Sequence, residues 1–354
     1  MAMKLRHVRR EIILVLVVFS LAVGIAKGYA QSDEEAFNKG IGYLNEKKYD
    51  EAIAEFNRAI ELNPHNADAY YNRGLIYHDK RNAEQAVSDY SSAIQINPNY
   101  TLAYYNRGIV YRHQGRFDQA IADLTKAIQL NPNNADAYVE RGLVSQYMGK
   151  YEQGIADFTK ALQINPLHAG AYYNLGFTYY GQSNYDQAIT YFTKAVQINP
   201  NYAEAYRDRG LAYAYKNNYE QAMTDYSMAI EINPNDAEAY RARGHAYAHR
   251  GLYDQAIADH TKAIHINPNY TDAFNGRGFA YMSKGLFDQA IADYTAAIQI
   301  NPEDAAGYKG RAGAYFYKKE YDKAWEDVNK VYALYDTVNP EFLVELKKAS
   351  GREK

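Results

Sequence analysis

The sequence has no cysteine, which removes disulfides, thiolate zinc sites, cysteine nucleophiles and a lipid-modified cysteine. It has a single Trp and only 9 Pro in 354 residues. Neither sign of charge dominates: 39 Lys and Arg stand against 42 Asp and Glu, so the totals give no reason to expect nucleic acid or an anionic surface as a partner. No uncharged apolar run reaches the roughly 20 residues of a membrane-spanning helix. No Gly-rich phosphate loop, Ser nucleophile elbow or HExxH pattern is present, and no other nucleophile stands beside a base. Catalysis has no residues to rest on. The chain is read as non-enzymatic, with no cofactor and no metal.

The first 30 residues differ from the rest. Lys4, Arg6, Arg9 and Arg10 form a basic head, and Ile12 to Ala26 is a 15-residue run without charge. Gly28 and Ala30 then put small side chains three and one residues before Gln31. Basic head, short apolar run and small-x-small site are the parts of a secretory signal peptide, so residues 1–30 are expected to be cleaved and the mature chain exported, to a periplasm or the outside. The alternative is an uncleaved N-terminal anchor, the only membrane contact this sequence suggests. Cleavage after Ala30 removes five basic residues and one acidic, leaving 34 against 41, a net of −7. That argues further against nucleic acid.

The few prolines are ordered. Pro64, Pro98, Pro132, Pro166, Pro200, Pro234, Pro268 and Pro302 fall at a constant interval of 34, each preceded by Asn. A fixed period of this size means a stacked array whose units bury their faces against their neighbours. In the unit from Ala67 to Tyr100, Tyr70, Arg73, Gly74 and Tyr77 lie on one face of a first helix. Ala86, Tyr90 and Ala93 lie on the matching face of a second, which ends at Asn97-Pro98 because the residue before Pro avoids the helical region. Gly74 and Ala86 are small enough to let the two helices approach at their crossing. Tyr, the one abundant aromatic at 38 copies, fills the slot of Tyr77 in eight units, with Ser145 the exception, and reads as core with its hydroxyl at a polar edge.

Tyr70-x2-Arg73-Gly74-x2-Tyr77, then Ala86-x3-Tyr90, then Pro98, resembles the tetratricopeptide repeat, with Tyr or Phe in place of the family's first Trp and Arg in place of its Leu. The resemblance covers nine units, 33–66, 67–100, 101–134, 135–168, 169–202, 203–236, 237–270, 271–304 and 305–338; Ala312, Val331 and Asp336 mark the ninth as worn. It implies an all-α, right-handed superhelical solenoid of helix-turn-helix units. Ser32-x-x-Glu35 reads as a capping box at its start. At its end Asn339, Pro340 and the apolar Phe342, Leu343 and Leu346 read as a solvating cap helix within 339–354.

Comparison among the copies exposes one further regularity. Arg73, Arg107, Arg141, Arg209, Arg243, Arg277 and Arg311 share a first-helix slot, and Asp89, Asp123, Asp157, Asp225, Asp259, Asp293 and Asp327 share a second-helix slot in the same units. The fifth unit loses both at once, to Leu175 and Tyr191, and the first keeps the signs with Lys39 and Glu55. Pairing within a unit strands no charge, which predicts a partly buried, bidentate Arg–Asp bridge in each.

The resemblance implies an interaction scaffold holding a protein or extended peptide in the concave groove. The wall would carry Tyr71 and Asn72, Tyr105 and Asn106, Tyr173 and Asn174, and later Arg207, Arg241 and Lys309: aromatic and amide-rich early, more basic late, suiting an extended segment, including an acidic one. Ile41, Leu75 and Ile109 occupy a slot where a carboxylate clamp needs a polar residue. A glycan-handling module of a polysaccharide export or cell-envelope system is the alternative, because a Tyr-lined groove can stack sugars. His245 and His249, four apart on one helix, read as solvent-facing residues of the groove wall without a third ligand. His260, in a slot elsewhere filled by Tyr or Phe, reads as a packed ring. N-terminal sequencing of exported material is expected to begin at Gln31; the intact chain in a membrane fraction would point to the anchor instead.

Overall fold

The computed structural model describes residues 32–352, and the expected signal segment with its cut before Gln31 lies outside them. These residues form helices joined by short turns, with no strand among them. They divide between Pro166 and Leu167 into two compact bodies. The N-terminal body holds α1 (32–45), α2 (Tyr49–Leu62), α3 (Ala67–Asp79), α4 (Ala83–Ile96), α5 (Thr101–His113), α6 (Phe117–Leu130), α7 (Ala135–Tyr147) and α8 (Tyr151–Ile164). The C-terminal body holds α9 (Ala169–Gly181), α10 (Tyr185–Ile198), α11 (Ala203–Tyr215), α12 (Tyr219–Ile232), α13 (Ala237–His249), α14 (Tyr253–Ile266), α15 (Thr271–Ser283), α16 (Phe287–Ile300), α17 (Ala305–Tyr317), α18 (Tyr321–Ala333) and α19 (Pro340–Ser350). Among the described residues no helix is long and apolar enough to cross a membrane. Ser32 is already helical, further into α1 than the capping-box reading placed it.

Turn chemistry fixes the helix lengths. Each first helix ends in a reversal in which one residue takes a positive φ, and the next N–H returns to the carbonyl five residues back, as in Asn82 N to Tyr77 O at 2.8 Å. Gly115, Gly149, Gly251 and Gly285 adopt this left-handed conformation without strain, whereas Arg81 and Asn217 adopt it at some cost. Each second helix except α18 stops at the Asn before Pro. Asn97 leaves the helix for extended backbone, and its Oδ1 accepts from Asn99 N at 3.0 Å. The next helix starts four residues on, capped by the side chains of Asn66, Asn134, His168, Asp236 and Asp304 where a polar residue precedes it.

The core runs between the helices of a pair. Ala86, Tyr90 and Ala93 of α4 are fully buried, as are Ala222, Tyr226 and Ala229 of α12. The glycine of the first helix makes room chiefly for the ring of the second: a Cβ on Gly74 would stand 2.9 Å from Tyr90, and one on Gly176 2.7 Å from Phe192. The worn ninth repeat keeps this fit by a paired change, Ala312 with the smaller Val328, both buried. Successive first helices also touch, α3 with α5 and α5 with α7 in one body, and α9, α11, α13, α15 and α17 in sequence in the other. First helices therefore form the inner wall of each body. At the C-terminus Asn339 Oδ1 accepts from Glu341 N at 2.8 Å, Leu346 is fully buried, and Phe342 and Leu343 pack against the ninth repeat.

Charge binds the layers together. Arg73, Arg107 and Arg141 each donate Nε and Nη2 to the two carboxylate oxygens of Asp89, Asp123 and Asp157, at 2.6–2.9 Å. Arg209, Arg243, Arg277 and Arg311 do the same with Asp225, Asp259, Asp293 and Asp327, at 2.6–2.9 Å. The remaining nitrogen, Nη1, reaches back to the preceding repeat: to Asn57, Ser91 and Thr125 in one body, and to Thr193, Ser227, Thr261 and Thr295 in the other, at 2.5–3.1 Å. Each guanidinium also lies over the ring three residues before it, as Arg73 lies 5.5 Å from the centre of Tyr70.

The first repeat departs from the expected pairing. Lys39 bonds Glu35 one turn back at 3.1 Å, and Glu55 Oε2 is buried without a hydrogen-bond partner among the described residues. An ammonium offers no planar fork with which to take both carboxylate oxygens. Arg141→Leu is expected to cost about 3 kcal/mol, because it leaves the Asp157 carboxylate buried and unpaired. The double change Arg141→Leu/Asp157→Tyr, which copies the fifth repeat, should cost less in denaturant melts. Equal losses would remove the pairing as a source of stability.

Candidate binding wall

The two residues between the platform ring and the arginine decide what each first helix adds to the inner wall. In the second repeat they are Tyr71 and Asn72. The Tyr71 ring is half-buried, 5.0 Å from the centre of Tyr100 and 5.9 Å from that of Tyr90. Its hydroxyl accepts from Asn106 Nδ2 at 3.0 Å. Tyr173 repeats the arrangement against Tyr202 and Phe192, at 5.0 and 5.7 Å, and its hydroxyl donates to Asp208 Oδ2 at 2.7 Å. Burial raises the pKa of Tyr71, Tyr105 and Tyr173 above the phenol range, so all three stay protonated.

The asparagines are anchored locally. Asn72 Nδ2 donates to Asp68 O at 2.8 Å, and Asn106 Nδ2 to Leu102 O at 3.1 Å. With its bond to Tyr71, Asn106 spends both amide hydrogens and retains only acceptor capacity. Asn174 holds the same slot in the fifth repeat. Glu140, which interrupts the row, bonds Arg112 at 2.9 Å; burial pushes its carboxyl up and Arg112 pulls it back.

The expectation of a basic late wall is corrected. Arg207 donates to Asp208 and Asp236, both at 3.0 Å, Arg241 is paired with Glu238, and Lys309 lies 2.7 Å from Asp336. Each cation is matched by carboxylate, so these residues project no net positive field. Burial raises the Asp208 carboxyl, while Arg207 and Tyr173 act against it. Asp208 was not singled out in the sequence, although it stands in the slot of Asn72.

Two cavities open on this wall in the C-terminal body. One, of about 340 Å³, is lined by residues that include Tyr215, Tyr219 and Tyr226; the other, of about 620 Å³, by residues that include His249, His260, Asn275 and Phe279; Arg241 and His245 line both. His245 and His249 are exposed, with ring centres 4.6 Å apart, and His249 stacks on Tyr219 at 4.8 Å. Among the described residues no group of three His, Asp or Glu is placed to hold a metal ion. His260 is a packed ring, only 1% exposed, and neither ring nitrogen has a hydrogen-bond partner. Burial, then His245, Arg241 and Arg277, push its pKa down to about 3, so it is a neutral imidazole. The signal for this environment lay in comparing copies: Arg241 replaces the covering ring, and Gly276 replaces the polar residue above.

Models of the tetratricopeptide repeat match residues 67–100, 101–134, 169–202 and 271–304, and a further one matches 124–156. A model described as TPR repeat matches 43–81, 147–183, 210–251 and 244–285. No curated protein matches the chain significantly. Among solved structures, a tetratricopeptide repeat protein from Parabacteroides merdae is 22% identical, with a TM-score of 0.57, over 71% of this chain and 99% of its own. The C-terminal part of a TPR repeat-containing protein from Cytophaga hutchinsonii is 18% identical, with a TM-score of 0.54, over 68% and 98%. YrrB, a TPR protein with an unusual peptide-binding site, is 27% identical, with a TM-score of 0.47, over 52% and 95%. With matching repeats along most of its length and an all-helical tandem architecture, the chain belongs to the tetratricopeptide-repeat family, whose members bind protein or peptide partners.

Proposed function

We propose that this chain is an exported, non-enzymatic scaffold that holds extended protein on the first-helix wall of each body. The observation that carries the reading is that two cavities of the C-terminal body, of about 620 and 340 Å³ and sharing Arg241 and His245, open on that wall, lined mainly by α11, α13 and α15. Preformed concavity with a few fixed polar groups is what a binding site requires. Asn72 and Asn106, held by their own helix backbone, lose little freedom when they take up a partner. Because the wall cations are already paired, the segment is selected for backbone hydrogen bonding and shape, and negative charge gives it no advantage. Export rests on the sequence of residues 1–30 alone.

Changing Asn72, Asn106 and Asn174 together to Ala is expected to weaken crosslinked capture of the partner from the exported fraction, by about 1 kcal/mol for each amide that bonds it. The melting temperature should change little, since the backbone bonds of Asn72 and Asn106 are exposed and the bond from Asn106 to the Tyr71 hydroxyl is the one partly buried contact of the two that is lost. Undiminished capture moves the binding surface off these residues.

A further inference from the structure

Building on the proposed wall, we infer that the larger cavity is a subsite for an uncharged, hydroxyl-bearing aromatic ring, a tyrosine side chain of the bound segment. Two buried groups ask for such an occupant. His260 lines the cavity with both ring nitrogens unpartnered, and as a neutral imidazole it has one N–H to give and one lone pair to fill. Asn275 Oδ1 is likewise buried without a partner. Its orientation is set by its own amide nitrogen, which donates to Asp304 Oδ2 at 3.0 Å; the flipped amide would set two acceptors against each other.

The cavity exists because two side chains are missing. In the second and fifth repeats a tyrosine lies against the ring that His260 replaces, Tyr71 on Tyr90 and Tyr173 on Phe192. In the seventh repeat that tyrosine is Arg241, bonded to Glu238. Above the imidazole stands Gly276, where a Cβ would lie 2.5 Å from His260 Cε1, so any other residue would crowd the ring. Phe279, Ala248 and Ala306 supply apolar surface, and the paired Arg241 adds no free charge. A carboxylate would face Asp272 on the cavity wall and an Arg241 already paired with Glu238, so it would lose its hydration without gaining a counter-ion. A phenol hydroxyl both donates and accepts, so it can serve a histidine and an amide carbonyl in one group, while its ring meets the apolar wall. The volume of about 620 Å³ leaves room for the adjoining backbone.

Leaving two imidazole nitrogens buried and unbonded destabilises the fold. Phe158 and Phe192 show that a phenyl ring fits the same slot. His260→Phe is therefore expected to fold with an equal or higher melting temperature. The change should also flatten the acid limb of the stability profile. A histidine held near 3 against an ordinary 6.5 takes up its proton more readily when unfolded, so it costs the fold stability as pH falls through that window. His245, Arg241 and Arg277, the groups facing it, are all basic and strengthen the trend.

The test uses the mature chain with N-acetyl-tyrosinamide and N-acetyl-phenylalaninamide as probes, followed by calorimetry and by the His260 ring resonances. We expect saturable, millimolar binding of the tyrosine amide, at least tenfold weaker binding of the phenylalanine amide, and loss of that preference in His260→Phe. Ala306→Leu, a change at an exposed rim position, should block both probes without unfolding the protein. Equal binding of the two amides, no binding, or a preference that survives His260→Phe each overturns the subsite. The groove reading is judged separately, by the Asn triple variant and partner capture. A loss there, with no tyrosine preference here, keeps the wall and discards the pocket.

Discussion

In seven of the nine repeats one guanidinium holds three helices. Nε and Nη2 grip an aspartate 16 residues ahead, Nη1 grips a short polar side chain 16 residues back, and the flat face rests on a ring three residues before. A stacked array is stable to the extent that each repeat is stable and each junction is stable; this single side chain contributes to both. The aspartates are nearly as buried as the alanines beside them, 4–8% exposed, so the charge is tolerated only because both carboxylate oxygens are bonded. The hydroxyls behind are aimed as well: Ser91 and Ser227 donate to Val87 O and Met223 O at 2.6 and 2.7 Å, which turns their lone pairs to the arginine. Arg and Tyr, the two departures from the family's usual Leu and Trp, are thus one device, the ring being the platform of the cation.

The fifth repeat shows what replaces the device when both charges go. Leu175 is buried, and Tyr191 stacks on Tyr179 at 5.5 Å and on Tyr172 at 6.4 Å. The platform ring remains, and Lys194 lies 5.3 Å from its centre. An ion pair has been exchanged for apolar and aromatic packing of similar volume, a change that costs little when both partners leave together. The first repeat shows the opposite case, in which the charges persist but the fork is lost, and Glu55 keeps an orphan oxygen.

What could be read from the sequence was whatever repeats. The helix pairs, the Asn-Pro stops, the glycine beside the buried ring and the bidentate bridge each occupy a fixed slot, and nine copies reveal a slot. The backward bond from Nη1 was equally regular, since Asn57, Ser91, Thr125, Thr193, Ser227, Thr261 and Thr295 share a position, but a hydroxyl row on a helix carries no mark of its partner. The wall was not legible because its contacts do not repeat. Arg207 finds carboxylates 1 and 29 residues away and Arg241 finds one 3 residues back. A basic residue could be seen in the sequence; its neutralisation could not. The environment of His260 depended on what two neighbouring slots lacked, and an absence has no periodicity.

The frame and the wall divide the labour of the chain. Because ring, arginine, glycine and aspartate carry the cohesion of each repeat, the two residues between ring and arginine are free to differ. They pass from Tyr-Asn, through Arg-Asp at 207–208 and Arg-Ala at 241–242, to Asn-Gly at 275–276. Early in the series the hydroxyls of Tyr71 and Tyr173 bond the polar residue of the next repeat, so the wall is closed there. Late in it the ring is gone and the next residue is Gly276, whose backbone lies directly on the second-layer ring. A histidine in that second layer would be a defect anywhere the wall was closed, since its nitrogens would face only carbon. In the seventh repeat it lines a cavity beside Gly276. An unfavourable buried group standing at the edge of a cavity is best understood as one half of a contact that a partner completes.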